Sequence, residues 1–204
     1  MKRLVIPFAF LVLALSGCQE EQTPLQTIQL SENELSTLLF TREEEKLAHD
    51  VYTYAFEKYG LAIFQNIASS ESQHVSAILT VMNSYQIADP LSGSTSNGEF
   101  TNPILQRLYQ DLIHRVDGSL GEAIQVGLLI EDMDIFDLEK AMSETSNTQI
   151  INVYSSLKCG SENHLRSFNN QAIVAGVEYT PEYISQDQYS SIISSARSSC
   201  QIPN

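Results

Sequence analysis

The sequence predicts an all-α domain in which four long helices form a bundle, with a long crossover between the second and third. Apolar residues recur at heptad-like spacing over four long segments, and no segment shows convincing strand-length alternation. Helix-start and helix-stop residues bound those segments at the expected places. Helices of about 25 residues would each be near 37 Å long.

Ser31-Glu32-Asn33-Glu34 is a capping-box pattern, and the helix it opens is expected to stop at Gly60. Its inward stripe reads Leu38, Glu45, Tyr52, Tyr59 at one heptad position and Thr41, Ala48, Ala55 at the other. Glu43 and Glu44 fall off the stripe and are expected in solvent. The second helix runs from about Ala62 to Gln86 with the stripe Phe64, Ile67, Glu71, His74, Ile78, Val81, Tyr85. A loop rich in Ser and Gly follows from Asp89 to Gly98. A short helix then extends from Pro103 to about Val116, ended by Asp117-Gly118.

Ser119-Leu120-Gly121-Glu122 is a second capping box, opening the third long helix to about Ser143. Its stripe is Leu120, Ile124, Gly127, Glu131, Asp134, Leu138, Ala141. The fourth, from near Asn147 to about Ala175, carries Ile150, Tyr154, Leu157, Ser161, His164, Phe168, Gln171 and is closed by Gly176. Tyr179-Thr180-Pro181 reads as a turn, and Gln186 to Arg197 as a short final helix. Short links make two antiparallel hairpins, and the long link between them is the single-crossover topology of ferritin-like bundles.

The chain's start reads as an address. Lys2 and Arg3 precede an apolar run from Leu4 to Leu15, too short for a membrane-spanning helix, and Leu15-Ser16-Gly17-Cys18 resembles a bacterial lipobox. Residues 1–18 are therefore expected to be a lipoprotein signal peptide, with Cys18 lipidated and residues 19–29 a tether to the bilayer. The bundle occupies 30–204. Gln19 after the cysteine points to the outer membrane of a cell that has one. An ordinary signal peptide cleaved nearby is the alternative.

The chain has 204 residues and a formal charge of −14, which becomes −16 without Lys2 and Arg3. Nucleic acid and anionic lipid surfaces are poor partners for such a chain, while a cationic substrate is compatible with it. Of the three cysteines, Cys159 and Cys200 remain once Cys18 is lipidated. They either bridge the tail to the last long helix or stand as separate thiols.

Glu45, Glu71, His74, Glu131, Asp134 and His164 interrupt apolar stripes near mid-helix, with every long helix contributing. A carboxylate on a core seam is costly unless something neutralises it. Four carboxylates balance two divalent cations, and two neutral imidazoles complete the set. With oxygen and imidazole donors and no thiolate, two irons are the expected ions, with manganese as the other choice. Tyr52 is placed to hydrogen-bond a ligand, to relay an electron, or simply to fill the core. Ser161 is placed to hold a metal-bound water.

The string Glu45-Lys46-Leu47-Ala48-His49-Asp50-Val51-Tyr52 resembles the first ligand segment of rubrerythrins. Glu71-Ser72-Gln73-His74 is similar to their second, and Glu131-Asp132-Met133-Asp134 to their third, with Asp as its last acid. Ser161-Glu162-Asn163-His164 keeps the histidine but has Ser161 where the pattern has Glu; Glu162 is about 100° around the helix. Phe64-Gln65-Asn66-Ile67, Leu105-Gln106-Arg107-Leu108-Tyr109 and Asn163-His164-Leu165-Arg166-Ser167-Phe168 resemble an uncharacterised ferritin-like family, a domain of unknown function, from about Leu30 to Ile193.

The resemblance implies a membrane-tethered diiron oxidoreductase of the cell envelope, periplasmic in location. It would oxidise Fe²⁺ or reduce peroxide or dioxygen. No four-cysteine rubredoxin-like module is present, so an outside electron donor is implied. A lipid tether fits a closed ferritin shell poorly, and a homodimer is left open. The competing expectation is a tethered helical binding module, metal-free or holding a structural ion, whose seam acids are protonated or paired with Arg42 and Arg166.

Overall fold

Ser31 opens the first helix with both halves of a capping box: its hydroxyl accepts from Glu34 N at 3.2 Å, and Glu34 Oε2 accepts from Ser31 N at 2.8 Å. This helix, α1 (Glu32–Tyr59), stops at Gly60, which takes a left-handed φ of 66°. After the two-residue link Gly60-Leu61 the chain turns back into α2 (Ala62–Ser84). The crossover contains α3 (Pro103–Gly118), followed by α4 (Leu120–Ser143), α5 (Thr148–Ala175) and α6 (Gln186–Ser194). The computed structural model describes residues 29–93 and 96–201; among these there are six helices and no strand. The expected leader, Cys18 and residues 19–28 lie outside the described residues. No helix among the described residues is long and apolar enough to cross a membrane.

α1 packs on α2 and α4 on α5, and the two hairpins meet through α1 against α4 and α2 against α5. The four stripes thus face one axis. Two apolar layers fill it. Leu47, Val51, Tyr52, Phe64, Ile124 and Phe168 lie in one. Leu38, Ile78, Met82, Leu138, Ile150 and Tyr154 lie in the other. Burying each such side chain contributes about 1.5–3 kcal/mol. The stripe acids and histidines occupy the level between the two layers.

Helix ends follow local chemistry. α2 stops at Ser84 rather than Gln86, because Gln86 adopts a left-handed φ of 59°. Asn102 caps α3, accepting from Ile104 N and Leu105 N, with Pro103 in the first turn. Ser119 accepts from Glu122 N, but the Glu122 carboxylate turns to Arg115 Nε at 3.6 Å rather than back to the cap. α6 ends at Ser194 instead of Arg197, as the chain straightens at Ser195. That tail is fastened to α5 by a Cys159–Cys200 disulfide spanning 41 residues of sequence. Closing such a loop is worth about 4 kcal/mol in the chain-entropy description.

The expectation that Glu43 and Glu44 are solvated fails, since they are only 3% and 2% exposed. The crossover lies over that side of α1. Glu43 accepts from Thr101 N (2.6 Å), Asn102 N (3.1 Å) and the Thr101 hydroxyl, so it anchors the start of α3. Asp50, about two turns later, holds the crossover before α3, accepting from Gly98 N at 2.8 Å and from Lys46. On α4, the buried Asp132 gathers the chain beyond α5. It accepts from Tyr179 Oη (2.8 Å), Glu182 N (2.6 Å), Tyr183 N (3.1 Å) and Ile184 N (2.8 Å). Each of these acids satisfies backbone N–H groups that the packing would otherwise strand.

Asp132→Ala strands three backbone donors beneath the 179–184 segment, and a loss of about 3 kcal/mol or more is expected in urea unfolding. Limited proteolysis of the variant should cut first between Tyr179 and Ile184. Wild-type stability, or cleavage elsewhere, would show that the segment is held by packing alone.

Candidate metal centre

Glu71 is fully buried at the middle of α2, and its two oxygens face two different imidazoles. Oε2 is 2.7 Å from His74 Nδ1, and Oε1 is 2.8 Å from His164 Nδ1. Each imidazole also meets a second carboxylate: His74 Nδ1 lies 3.0 Å from Glu45 Oε2, and His164 Nδ1 lies 3.4 Å from Glu131 Oε2. The outcome is two triads that share one residue, Glu45–Glu71–His74 and Glu71–Glu131–His164, all five side chains being buried.

These contacts are only partly hydrogen bonds. A ring Nδ1–H has one proton to give along one axis, and in His74 that axis points at Glu45. Glu71 Oε1 and Oε2, Glu131 Oε2 and His164 Nδ1 are buried and have no hydrogen-bond partner, although His164 Nδ1 lies 2.8 Å from Glu71 Oε1 and 3.4 Å from Glu131 Oε2. Ligands about 2.1 Å from one ion and at right angles are about 3 Å apart. The spacing is therefore that of donor atoms turned toward a common point, and the triads have the composition and burial to hold metal ions. Oxygen and imidazole donors without thiolate suit iron, manganese or zinc.

Neighbouring residues hold these donors in place. Tyr52 Oη donates to Glu131 Oε1 at 2.6 Å and approaches Gly127 O at 3.4 Å. Burial raises the Tyr52 phenol well above its usual range, with the Glu131 charge adding to the shift, so it keeps its proton as donor. Its ring packs at tilted angles against Phe64 and Phe168, closing that end of the centre with aromatic carbon. Two glycines make this packing possible. A Cβ on Gly127 would lie 2.5 Å from Phe168 Cε1, and one on Gly160 would lie 2.5 Å from His74 Nε2. On the other imidazole, His164 Nε2 pairs with Ser70 Oγ at 3.0 Å.

Not every expected residue joins the triads. Asp134 is 1% exposed, yet it stands outside both, and neither of its oxygens has a hydrogen-bond partner. Ser161 is buried, and its hydroxyl donates to Leu157 O of its own helix at 3.2 Å. Glu162 turns outward to Lys158 (3.2 Å) and Arg166 (3.7 Å). The arginines expected to neutralise the seam acids in a metal-free module are engaged elsewhere. Arg42 binds Asp89 and Val75 O. Arg166 binds Ile192 O, Asn163 and Ser195. Sequence reading missed Gly160 and Ser70, because only the packing of α2 on α5 brings them to the imidazoles.

The sequence profile of an uncharacterized protein domain, DUF2202, matches residues 34–196, from the first turn of α1 through α6. The chain belongs to the DUF2202 family. It is similar to the uncharacterized protein MJ0754 of Methanocaldococcus jannaschii, with 45% identity over 167 residues, covering 82% of this chain and 90% of that one. The crystal structure of hypothetical protein MJ0754 from Methanococcus jannaschii superposes with a TM-score of 0.82 at 44% identity, covering 83% of this DUF2202 chain and 97% of that one.

Without metal, the centre is an ion-pair cluster loaded with protons. Burial pulls the His164 imidazole down, but Glu71 and then Glu131 outweigh it and push it up to about 10. His74 is raised well above its usual value in the same way, by Glu71 and Glu45 against burial. Burial would raise Glu71, but the two imidazolium rings hold it below the ordinary carboxylate range. Glu45 rises to about 7, from burial only partly offset by His74. Glu131 and Asp134 are raised chiefly by burial.

These shifts set a pH dependence for the metal-free protein. The His164 contribution is complete below about 6.5 and is lost as pH rises through about 10. The Glu45 contribution is complete below about 4.5 and is lost through about 7. Both have the same sign, so chelator-stripped protein should unfold at lower urea at pH 9 than at pH 6. An equal or higher midpoint at pH 9 would contradict the charge assignment.

Gly160→Ala tests the imidazole's seat. At an ordinary helix position the change would add about 1 kcal/mol of stability. Here it should lower the unfolding midpoint, because the new methyl meets the His74 ring. A gain in stability would show that the ring moves aside freely.

Proposed function

We propose that this protein is a ferritin-like diiron protein. Its four long helices would form a ferritin-like bundle, and the two Glu71-centred triads would hold a pair of metal ions, iron first and manganese second. It would act as an oxidoreductase that oxidises Fe²⁺ or reduces peroxide or dioxygen, tethered to the cell envelope through lipidated Cys18. One observation carries this reading: Glu71 presents one oxygen to each of two buried imidazoles, and four donor atoms at that point lack hydrogen-bond partners. Native interiors leave few such atoms unpaired. The 45% identity to MJ0754 adds no activity to the argument, since that protein is itself described as uncharacterized.

When bound, a pair of irons supplies Lewis acidity and two one-electron donors, the equivalents that take peroxide to water. The chain does the rest. Glu71 sits between the two triads and fixes their separation. Glu45 and Glu131 flank it, each opposite its own imidazole. Tyr52 orients Glu131, and its ring with Phe64 and Phe168 keeps water from that end. Asp134 is the fourth carboxylate that balances two divalent charges.

A small oxidant has a way in. A cavity of about 490 Å³ opens between α2 and α5, lined by Asn66, Ser70, Asn170, Gln171 and Arg197, with His164 on its wall. Ala62, Ile63 and Ile67 complete a mixed lining that contains no carboxylate, which suits a neutral or anionic oxidant.

The competing reading, a metal-free binding module on the envelope, draws on the same imidazole–carboxylate contacts, which are ion pairs when the rings are protonated. It leaves the unpaired oxygens of Glu71, Glu131 and Asp134 without a purpose. Metal content decides between them. Protein loaded anaerobically with Fe²⁺ and desalted should retain about two irons per chain, and Glu71→Ala should lose both, because Glu71 serves both triads. Peroxide should then give the wild-type protein a visible charge-transfer band. A folded, helical wild type that retains no metal would remove the redox reading and leave the binding module.

A further inference from the structure

Two buried acids outside the triads, Asp134 and Glu44, carry oxygens without hydrogen-bond partners. They are 1% and 2% exposed, and the unpartnered atoms are both Asp134 oxygens and Glu44 Oε1. We propose that Asp137, Glu44 and Asp134 form a carboxylate path that carries divalent cations from solvent to the Glu71-centred triads. The proposal rests on the metal-centre reading above and extends it to how the ions arrive.

The outer end of the path is a cavity of about 290 Å³ between α1 and α4. Asn33, Thr37, Thr41, Asp137, Lys140 and Glu144 line it. Asp137 is half-buried on its wall and hydrogen-bonds to Glu44, one layer further in. Asp134 lies one helical turn before Asp137 on α4 and so shares its face. Glu44 precedes the triad residue Glu45 on α1. The groups that act most strongly on Asp134 are, in order, Glu44, Glu45, Glu131 and Glu71, all acidic. The chain thus runs from the surface through three carboxyl groups to the donor atoms of both triads.

Charge and hydrogen bonding both favour a metal cation as the traveller. Lys140 stands at the solvent end and acts on Asp137, and Arg42 is engaged with Asp89. Asp134 and Glu44 present buried oxygen atoms with no hydrogen-bond partner, which an entering cation can use as ligands. A proton relay needs each acid hydrogen-bonded to the next, and no protein group donates to or accepts from Asp134. A cation needs the opposite, oxygen lone pairs free of donors. Oxygen-only donors suit hard divalent ions. The cavity beside His164 carries no carboxylate, so the two openings differ in the charge they admit.

The test uses the full chain stripped with a chelator and mixed with Co²⁺ alone, whose visible absorption in the triads reports arrival in stopped flow. Wild type should reach about two cobalt ions per chain. Asp137→Asn and Glu44→Gln should each slow loading about tenfold or more with the same end point. Lys140→Gln, at an exposed position where folding is not at stake, should speed it. Glu139→Gln removes an equal charge that faces Lys158 and Gln188, off the path, and should load at the wild-type rate. Loading of Asp137→Asn and Glu44→Gln within twofold of wild type, or slowing no greater than in Glu139→Gln, would overturn the path. So would unchanged cobalt arrival with slowed proton release, which would assign these acids to protons. A wild type that binds no cobalt would instead overturn the metal centre itself, and the path with it.

Discussion

The Glu71 carboxylate held between two imidazoles is the contact on which the rest of the molecule depends. It places a charged layer at the centre of a bundle that is otherwise filled by Leu, Ile, Phe and Tyr. Removing one partner from such a layer leaves a buried charge uncompensated, at a cost of about 3–5 kcal/mol. The surrounding residues are arranged to prevent that. Gly160 gives the His74 ring its space, Ser70 holds the far nitrogen of His164, and Tyr52 donates to Glu131. The layer sits midway along four helices, with apolar layers on either side that exclude water.

Acidic residues at adjacent positions do different work because each meets a different neighbour. Glu43 receives the backbone of Thr101 and Asn102, Glu44 meets Asp137, and Glu45 faces His74. On α4, Glu131 joins a triad while Asp132 gathers four donors from the 179–184 segment. Successive helical residues point about 100° apart. A run of acids on a helix buried on several sides therefore addresses several partners at once. The crossover and the chain beyond α5 are secured this way, by carboxylates to backbone N–H groups, as well as by apolar contacts of Leu105, Leu112, Val116, Ile184 and Ile192. Such anchors are specific in register, since a shift by one residue would strand every donor.

The two cavities stand on opposite sides of the charged layer and differ in chemistry. The one between α2 and α5 presents amides, hydroxyls, Arg197 and the edge of His164. The one between α1 and α4 presents carboxylates that continue inward. The Cys159–Cys200 disulfide, together with the hydrogen bond of Asn163 to Ser198 O, keeps the tail carrying Arg197 at the first of these. The fold therefore sets a cavity without carboxylates and one lined by carboxylates at different pairs of helices.

Heptad spacing, capping boxes and stop glycines were enough to read the long helices, because each is a local signal that the backbone answers locally. Glu45, Glu71, His74, Glu131 and His164 could be picked out because a charge on an apolar stripe is conspicuous in one dimension. What the sequence could not show was which side of each helix a loop would cover. Glu43 and Glu44 read as solvated because an off-stripe acid usually is, yet the crossover covers Glu43 and Glu44 is buried against Asp137 of α4. Arg42 and Arg166 read as partners for the seam because they flank it, but a long side chain reaches several turns, and tertiary packing sent both elsewhere. Gly160 carries no signal of its own until another helix places an imidazole against it. Periodicity along a helix determined which residues face inward. Which inward residues meet, and which outward ones are covered, depends on distances between segments far apart in the chain, and those only the tertiary structure decided.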